Sequence, residues 1–224
     1  MGRKYPERVT ASMLRVNHDN ETLLIRHNTS VHFGESTDQL GMVIMTNPGS
    51  FELKTTTPEW TSFKNGTSLS DTFEVDDYAD LTMRNIIKAI KCSYEDQSMI
   101  SGILRVYNLS NIRQPVGLKA EVYHNRAKQV ISSELMALLE DPITHSEDSF
   151  LAECNKSRFV IMGFVDKVFE DKMSKVINWS ESVKDRRVCA VDKKGRFSHP
   201  RRWITEPFLM NEAIKSLKSV TSKS

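Results

Sequence analysis

Residues 8–34 carry short runs of apolar residues, Met13-Leu14-Arg15-Val16, Thr22-Leu23-Leu24-Ile25 and Ser30-Val31-His32-Phe33, divided by polar turns such as Asn17-His18-Asp19-Asn20. That pattern predicts an antiparallel hairpin or meander. From Met42 to Thr46 the chain is apolar without alternation, as a strand covered on both faces should be. Asn47-Pro48-Gly49-Ser50 stops it, because proline cannot continue a central strand. Ile103–Asn108, Phe159–Gly163 and Arg187–Val191 predict three further core strands. Helical spacing follows Asp80, an N-cap type, through about Cys92, with Leu81, Ile86, Ile87 and Ile90 as its buried stripe. It recurs over about Ala127–Glu140, near Ser149–Cys154, over Val165–Ile177 and from Pro207 onward.

Strands alternating with helices imply a parallel sheet with helices on both faces. The expected fold is therefore α/β, a three-layer α/β/α sandwich with a central, mostly parallel four-stranded sheet preceded by an N-terminal antiparallel hairpin. It should be a single domain over residues 1–224, with a β extension at 1–40, a core at 42–203 and a C-terminal helix at 204–224. Residues 50–79, polar with scattered aromatics, read as a long irregular connection that forms a pocket wall. Their acidic residues Asp71, Glu74, Asp76 and Asp77, with Asp80, lack the spacing of a calcium loop and read as a solvated loop.

At 224 residues, 39% hydrophobic and 27% charged, the chain suits one soluble core. Cys92, Cys154 and Cys189 are odd in number and far apart, which argues against a disulfide framework, a zinc site or an iron–sulfur cluster. No secretory leader or membrane-length apolar run is present, so a cytoplasmic protein is expected. Phosphate-loop, dinucleotide-binding, nucleophile-elbow and zinc-protease motifs are absent. No cofactor and no metal are expected.

The net charge of +2 conceals an uneven distribution. Residues 184–202 hold Lys184, Arg186, Arg187, Lys193, Lys194, Arg196, Arg201 and Arg202 against Asp185 and Asp192 alone, whereas residues 134–153 are acidic without Lys or Arg. Such polarity suits a face turned toward a phosphate backbone. Ligands of open α/β sheets bind at the carboxyl ends of parallel strands. Asn47, Asn108, Gly163 and the later Ser198-His199-Pro200 stand at or just past such ends.

Taken in order, Met45-Thr46-Asn47-Pro48-Gly49-Ser50, Asp80-Leu81-Thr82-Met83-Arg84, Val106-Tyr107-Asn108-Leu109 and Ser198-His199-Pro200 resemble a bacterial and phage family of uncharacterised domains. Through it they resemble the uracil-DNA glycosylase superfamily. The resemblance spans roughly residues 42–203 and departs at two points. Met162-Gly163 lacks the Trp of a Trp-Gly strand end, and His199-Pro200 continues into Arg201-Arg202-Trp203.

The resemblance implies a metal-independent DNA glycosylase-like hydrolase that cleaves an N-glycosidic bond and leaves an abasic site, in repair or in defence against modified phage DNA. Asn47 would orient the attacking water, and His199 would donate to the departing base. Asn108 would read the edge of a flipped base, with Gly49 shaping its pocket. Phe51, or else Phe63, would stack on that base. Arg196, Arg201 and Arg202, with Lys193 and Lys194, would grip phosphates of single- or double-stranded DNA, and Trp203 would wedge into the vacated stack. A monomer is expected. Two alternatives stay open: a non-catalytic nucleic-acid-binding module of the same fold, and an enzyme acting on free nucleosides or nucleotides.

Overall fold

Alternate side chains of the strand Gln39–Met45 belong to two different cores. Val43 and Met45 pack with Ile86, Ile90, Leu209 and Leu217, whereas Met42 and Ile44 pack with Ala120, Phe150 and Val176. Successive side chains of a strand point to opposite faces, so this strand is covered on both sides. The computed structural model describes residues 5–19, 21–49, 52–53 and 56–222.

The strands are β1 (Arg8–His18), β2 (Glu21–Phe33), β3 (Gln39–Met45), β4 (Thr72–Tyr78), β5 (Gly102–Asn108), β6 (Val160–Met162) and β7 (Arg187–Val188). The α-helices are α1 (Pro58–Lys64), α2 (Leu81–Ser93), α3 (Gly117–Val130), α4 (Met136–Leu139), α5 (Glu147–Asn155), α6 (Glu170–Trp179) and α7 (Pro207–Thr221). The fold is α/β around one mixed sheet in the order β4-β1-β2-β5-β3-β6-β7. Within it β5, β3, β6 and β7 pair in parallel, and the remaining pairings are antiparallel. No helix among the described residues is long and apolar enough to cross a membrane.

The sheet corrects the expectation of four strands with a hairpin in front. The hairpin is part of the sheet, because β2 continues past its turn region and pairs Thr29–Phe33 with Val106–Gly102 of β5. Residues 56–79 are also more ordered than expected, since they contain α1 and β4. Trp60, Phe63 and Val75 bury themselves with Ala11, Met13 and Leu24 in a third core. The buried Arg15 guanidinium ties the segment down by donating to the carbonyls of Phe63 and Ser68, each at 3.0 Å, and to Asp71 at 2.6 Å. Three of the acidic residues that suggested a solvated loop, Glu74, Asp76 and Asp77, lie on β4, where Ser12 donates to Glu74 and Arg8 pairs with Asp76 across the strand boundary; Asp71 just precedes the strand and Asp80 follows it.

Three helices and a strand depart from their expected bounds for local reasons. The buried residues of α3 are Ala120, His124 and Ala127, small or polar, so its apolar stripe is faint and the stronger signal of Ile131–Leu139 masks it. That later stretch is broken, with extended backbone at Ile131 and Ser132 before a short 3-10 turn and α4. The start of α6 waits until Glu170 because Lys167 and Phe169 are left-handed, at φ 59° and 52°. Beyond β7 the chain makes only isolated bridges, Phe164 with Ser198 and Val191 with Phe197.

Gly163, at the exit of β6, allows the segment Ser198–Pro200 to lie directly against the strand end. A Cβ there would stand 2.5 Å from the Ser198 carbonyl oxygen and 2.8 Å from Pro200 Cδ. Because the nearest obstacle is backbone, the contact cannot be relieved by a side-chain rotation. Gly163→Ala is expected to destabilise the protein by about 1–3 kcal/mol, lowering the midpoint of thermal unfolding. An unchanged midpoint would show that the two segments separate without penalty.

Candidate active site

The carboxyl ends of the parallel strands open onto a cavity of about 710 Å³. Asn47 follows β3, Asn108 closes β5, Phe164 follows β6, and His199 reaches the same space from the segment beyond β7. Arg26 from β2 and Asp80 from the start of α2 complete the inner wall. The ends are tied together by main-chain and side-chain bonds. Val165 N–H donates to Thr46 Oγ1 at 2.8 Å, Ser110 N–H donates to the Thr46 carbonyl at 3.1 Å, and Asn85 Nδ2 donates to the Pro200 carbonyl at 2.9 Å. Asn85 thus holds the His199 turn against α2, a role with no motif to announce it.

The surroundings of each polar side chain fix what it can offer. Asn47 Nδ2 donates to the carbonyls of Ile112 at 3.3 Å and Gln114 at 2.8 Å, which leaves Oδ1 as the acceptor of that amide. His199 Nδ1 accepts the Arg201 N–H at 3.2 Å, so the ring proton sits on Nε2 and the imidazole can donate from there. Burial pushes the His199 pKa down to about 4; nearby Asp80 opposes this shift and Arg201 adds to it. The ring is therefore a neutral donor at pH 7.

Asp80 caps α2 by accepting the Met83 N–H at 2.9 Å, while its other oxygen lies 3.8 Å from Arg26 Nη1. Arg26 is 1% exposed. Burial lowers its pKa and Asp80 works against that lowering. Asp80 was legible as a helix cap and as part of the resemblance; its place in the cavity beside a buried arginine was not.

Behind Asn108 stands a buried polar chain. Asp141 accepts the Asn108 N–H at 2.9 Å and Asn111 Nδ2 at 3.1 Å. Burial raises the Asp141 pKa to about 6 despite these two bonds. Its neighbour Glu140 is buried among His124, Lys172, Lys128 and His145, and the hydrogen bond from His124 leads the effects that hold its carboxyl well below the usual range. In the sequence Asp141-Pro142 reads only as a helix stop, so this network was not found there.

The remaining candidates divide. Gly49 lines the cavity with φ +65°, and no atom lies within 4 Å of where a Cβ would stand. Phe51 lies outside the described residues. Phe63 is not near the cavity wall but stacked with Trp60 in the third core, ring centroids 5.9 Å apart. Trp203 cannot serve as a wedge from where it stands: it is 1% exposed and its Nε1 donates to Ser198 Oγ at 3.2 Å. A large aromatic beside two arginines invited a surface role, but the apolar core against α2 and α7 takes it up.

The basic segment is likewise partly neutralised. Asp192 binds Arg196 at 2.9 Å and Arg202 at 3.0 Å, Arg196 also pairs with Asp166, and Arg202 with Glu206 at 2.7 Å. Lys193 and Lys194 are exposed on the turn beyond Asp192 and are not among the lining residues. Arg201 and Arg84 line the cavity, and neither has a carboxylate partner among the described residues. No group of three or more His, Cys, Asp or Glu that could hold a metal occurs among the described residues. Compared with protein-family models, curated proteins and solved structures, the chain matches none.

Two measurements follow from the protonation states. An NMR titration should find His199 as the Nε2–H tautomer down to about pH 5, with its midpoint near 4; a midpoint near 6.5 would contradict the burial argument. For Asp141 the native pKa of about 6 exceeds the ordinary 3.8, so the folded state holds the proton more tightly. Its contribution is favourable below pH 4 and is lost as pH rises through 6, by on the order of 2–3 kcal/mol. The stability advantage of the wild type over Asp141→Asn should therefore shrink by that amount between pH 4 and pH 7 in denaturant unfolding. A constant difference would show that Asp141 titrates normally.

Proposed function

We propose that the protein hydrolyses N-glycosidic bonds, acting as a glycosylase-like enzyme on a base turned out of DNA and leaving an abasic site. The observation that carries this reading is the meeting on one cavity of Asn47 and Asn108, from two strand ends, with His199 from the segment beyond β7. The size of that cavity lies within the range of ordinary small-ligand sites. The four strands that pair in parallel, with packed cores on both faces, serve as the sandwich that presents these ends.

Glycosidic cleavage builds positive charge on the sugar and negative charge on the departing base. Water adds to the anomeric carbon as the carbon–nitrogen bond breaks, its electron pair leaves on the base nitrogen, and the water proton is released to solvent or to the base. A neutral His199, donating from Nε2 to a base carbonyl oxygen, would stabilise charge where it develops, without the competing cation that an imidazolium would place beside the oxocarbenium. Asn47 would receive a hydrogen bond from the water through Oδ1 and so orient it; an amide does not remove the proton.

A second reading, an enzyme of free nucleotides, draws on specific observations. The buried Trp203 and the ion-paired Arg196 and Arg202 reduce the surface suited to a DNA backbone. The two arginines without carboxylate partners, Arg84 and Arg201, stand at the cavity itself and would suit a single phosphate group.

The test presents DNA carrying uracil, mismatched or hypermodified bases, and in parallel the free nucleotides, followed by alkali cleavage or base detection. Release of base from at least one substrate is expected, with Asn47→Ala and His199→Ala each reducing the rate about 10²–10³-fold. Release from nucleotides alone would select the second reading. Steeply salt-dependent DNA binding without any release would leave only a binding module.

A further inference from the structure

Among the described residues, three carboxylates line the cavity, those of Glu52, Asp80 and Asp166. The first is fully engaged: Lys64 Nζ binds both of its oxygens, at 3.0 and 2.9 Å, and Arg113 Nη2 and Trp60 Nε1 each add a hydrogen bond. Asp166 is ion-paired with Arg196. Both are open to water, with side chains 47% and 45% exposed, whereas that of Asp80 is 24% exposed. Asp80 Oδ1 caps α2 by accepting the Met83 N–H at 2.9 Å. Its Oδ2 receives no hydrogen bond from the described residues, since Arg26 Nη1, at 3.8 Å, is near enough to balance charge and too far to donate. The charge of Asp80 is also felt at His199, whose pKa it works to raise.

Hydrolysis of an N-glycosidic bond needs an acceptor for a proton, because the attacking water becomes strongly acidic as it bonds to the anomeric carbon. Asn47 and Asn108 are amides and cannot take it. His199 cannot either, because Nδ1 already accepts the Arg201 N–H and Nε2 carries the ring proton. We propose that Asp80 is the general base. Its Oδ2 takes the proton of the water that Asn47 orients, while the water oxygen bonds to the anomeric carbon and the electron pair of the carbon–nitrogen bond leaves on the base nitrogen. Asp80 then returns the proton to solvent and the departed base is protonated there, so that one water is consumed for each bond broken. The inference rests on the reading of the cavity as a glycosidic site and supplies the step that an amide leaves open. One side chain thus uses one oxygen to start a helix and keeps the other for chemistry.

Two substitutions separate the cap from the base, because asparagine and serine both cap helices about as well as aspartate and neither accepts a proton from water. Asp80→Asn fills the same space, whereas Asp80→Ser keeps a capping oxygen and vacates the position of Oδ2. Single-turnover release of base is measured on DNA carrying uracil, a mismatched base or a hypermodified base and on free nucleotides, and the substrate that the wild type cleaves fastest carries the comparison. Both variants are expected to fold, as checked by their thermal transitions, to bind that substrate as the wild type does and to release base about 10²–10⁴-fold more slowly. Sodium formate, a small carboxylate, should restore Asp80→Ser by about tenfold or more, while sodium chloride at the same concentration should not. Asp80→Asn, with the position filled, should stay slow in formate.

If Asp80 serves only as a cap, both variants release base within about threefold of the wild-type rate, which overturns the inference and leaves the glycosidic site standing. Slow release by Asp80→Ser that formate does not restore assigns the carboxylate to charge or positioning alone and overturns the proton transfer. If Asp80→Asn fails to fold, Asp80→Ser with and without formate decides between these outcomes. Absence of base release by the wild type from every substrate overturns both the inference and the reading on which it rests.

Discussion

The close approach of Ser198–Pro200 to the end of β6 governs the rest of the site. Gly163 supplies the space, the Phe164–Ser198 bridge continues the sheet's parallel sense, and Asn85 of α2 holds the far side of the turn through the Pro200 carbonyl. The strand before this segment, β7, is only two residues long, so these contacts, more than the strand itself, fix His199. Trp203, sealed into the core beneath, anchors the same turn by donating to Ser198. Close backbone contact and two buried hydrogen bonds are stiff constraints, and they bring an imidazole to the cavity that two asparagines from other strands also line.

Within that frame, chemistry is set by which half of each polar group the protein has already used. Two main-chain carbonyls take both donors of Asn47, Asn111 takes one of the two donors of Asn108, and a main-chain N–H takes the acceptor of His199. What faces the cavity is thereby reduced to a small and defined set of hydrogen-bonding functions. Charge is treated in the same way. Asp192 and Glu206 pair with Arg202, and Asp80 stands beside Arg26, which among the described residues confines cationic character without a carboxylate partner at the cavity to Arg84 and Arg201. A chain with a conspicuous basic run therefore presents a narrower positive surface than its composition suggests.

The elements that could be read from the chain were those with strong local signals. Met42–Met45 had no polar interruption, Asp80 preceded a clean apolar stripe, and Pro207 opened the last helix; each corresponds closely to an element of the structure. The segment 50–79 misled because β4 alternates acidic with apolar residues, and acidic residues weaken the strand signal. Its order comes from Arg15, more than fifty residues away from Asp71, and from aromatic packing on β1 and β2. Similarly, α3 was shifted because the side chains it buries are alanines and a histidine.

Sequence by itself determined the α/β class and the types of residue standing at strand ends, because hydrophobic period and turn chemistry are local properties of consecutive residues. It pointed to Asn47, Asn108 and His199 as polar groups in those positions. Only the tertiary structure decided that they share a cavity, that Trp203 and Phe63 are buried away from it, and that Arg26, Asn111 and Asp141 take part. Burial, tautomer and amide orientation depend on atoms brought together from distant parts of the chain, and no local pattern encodes which groups those will be.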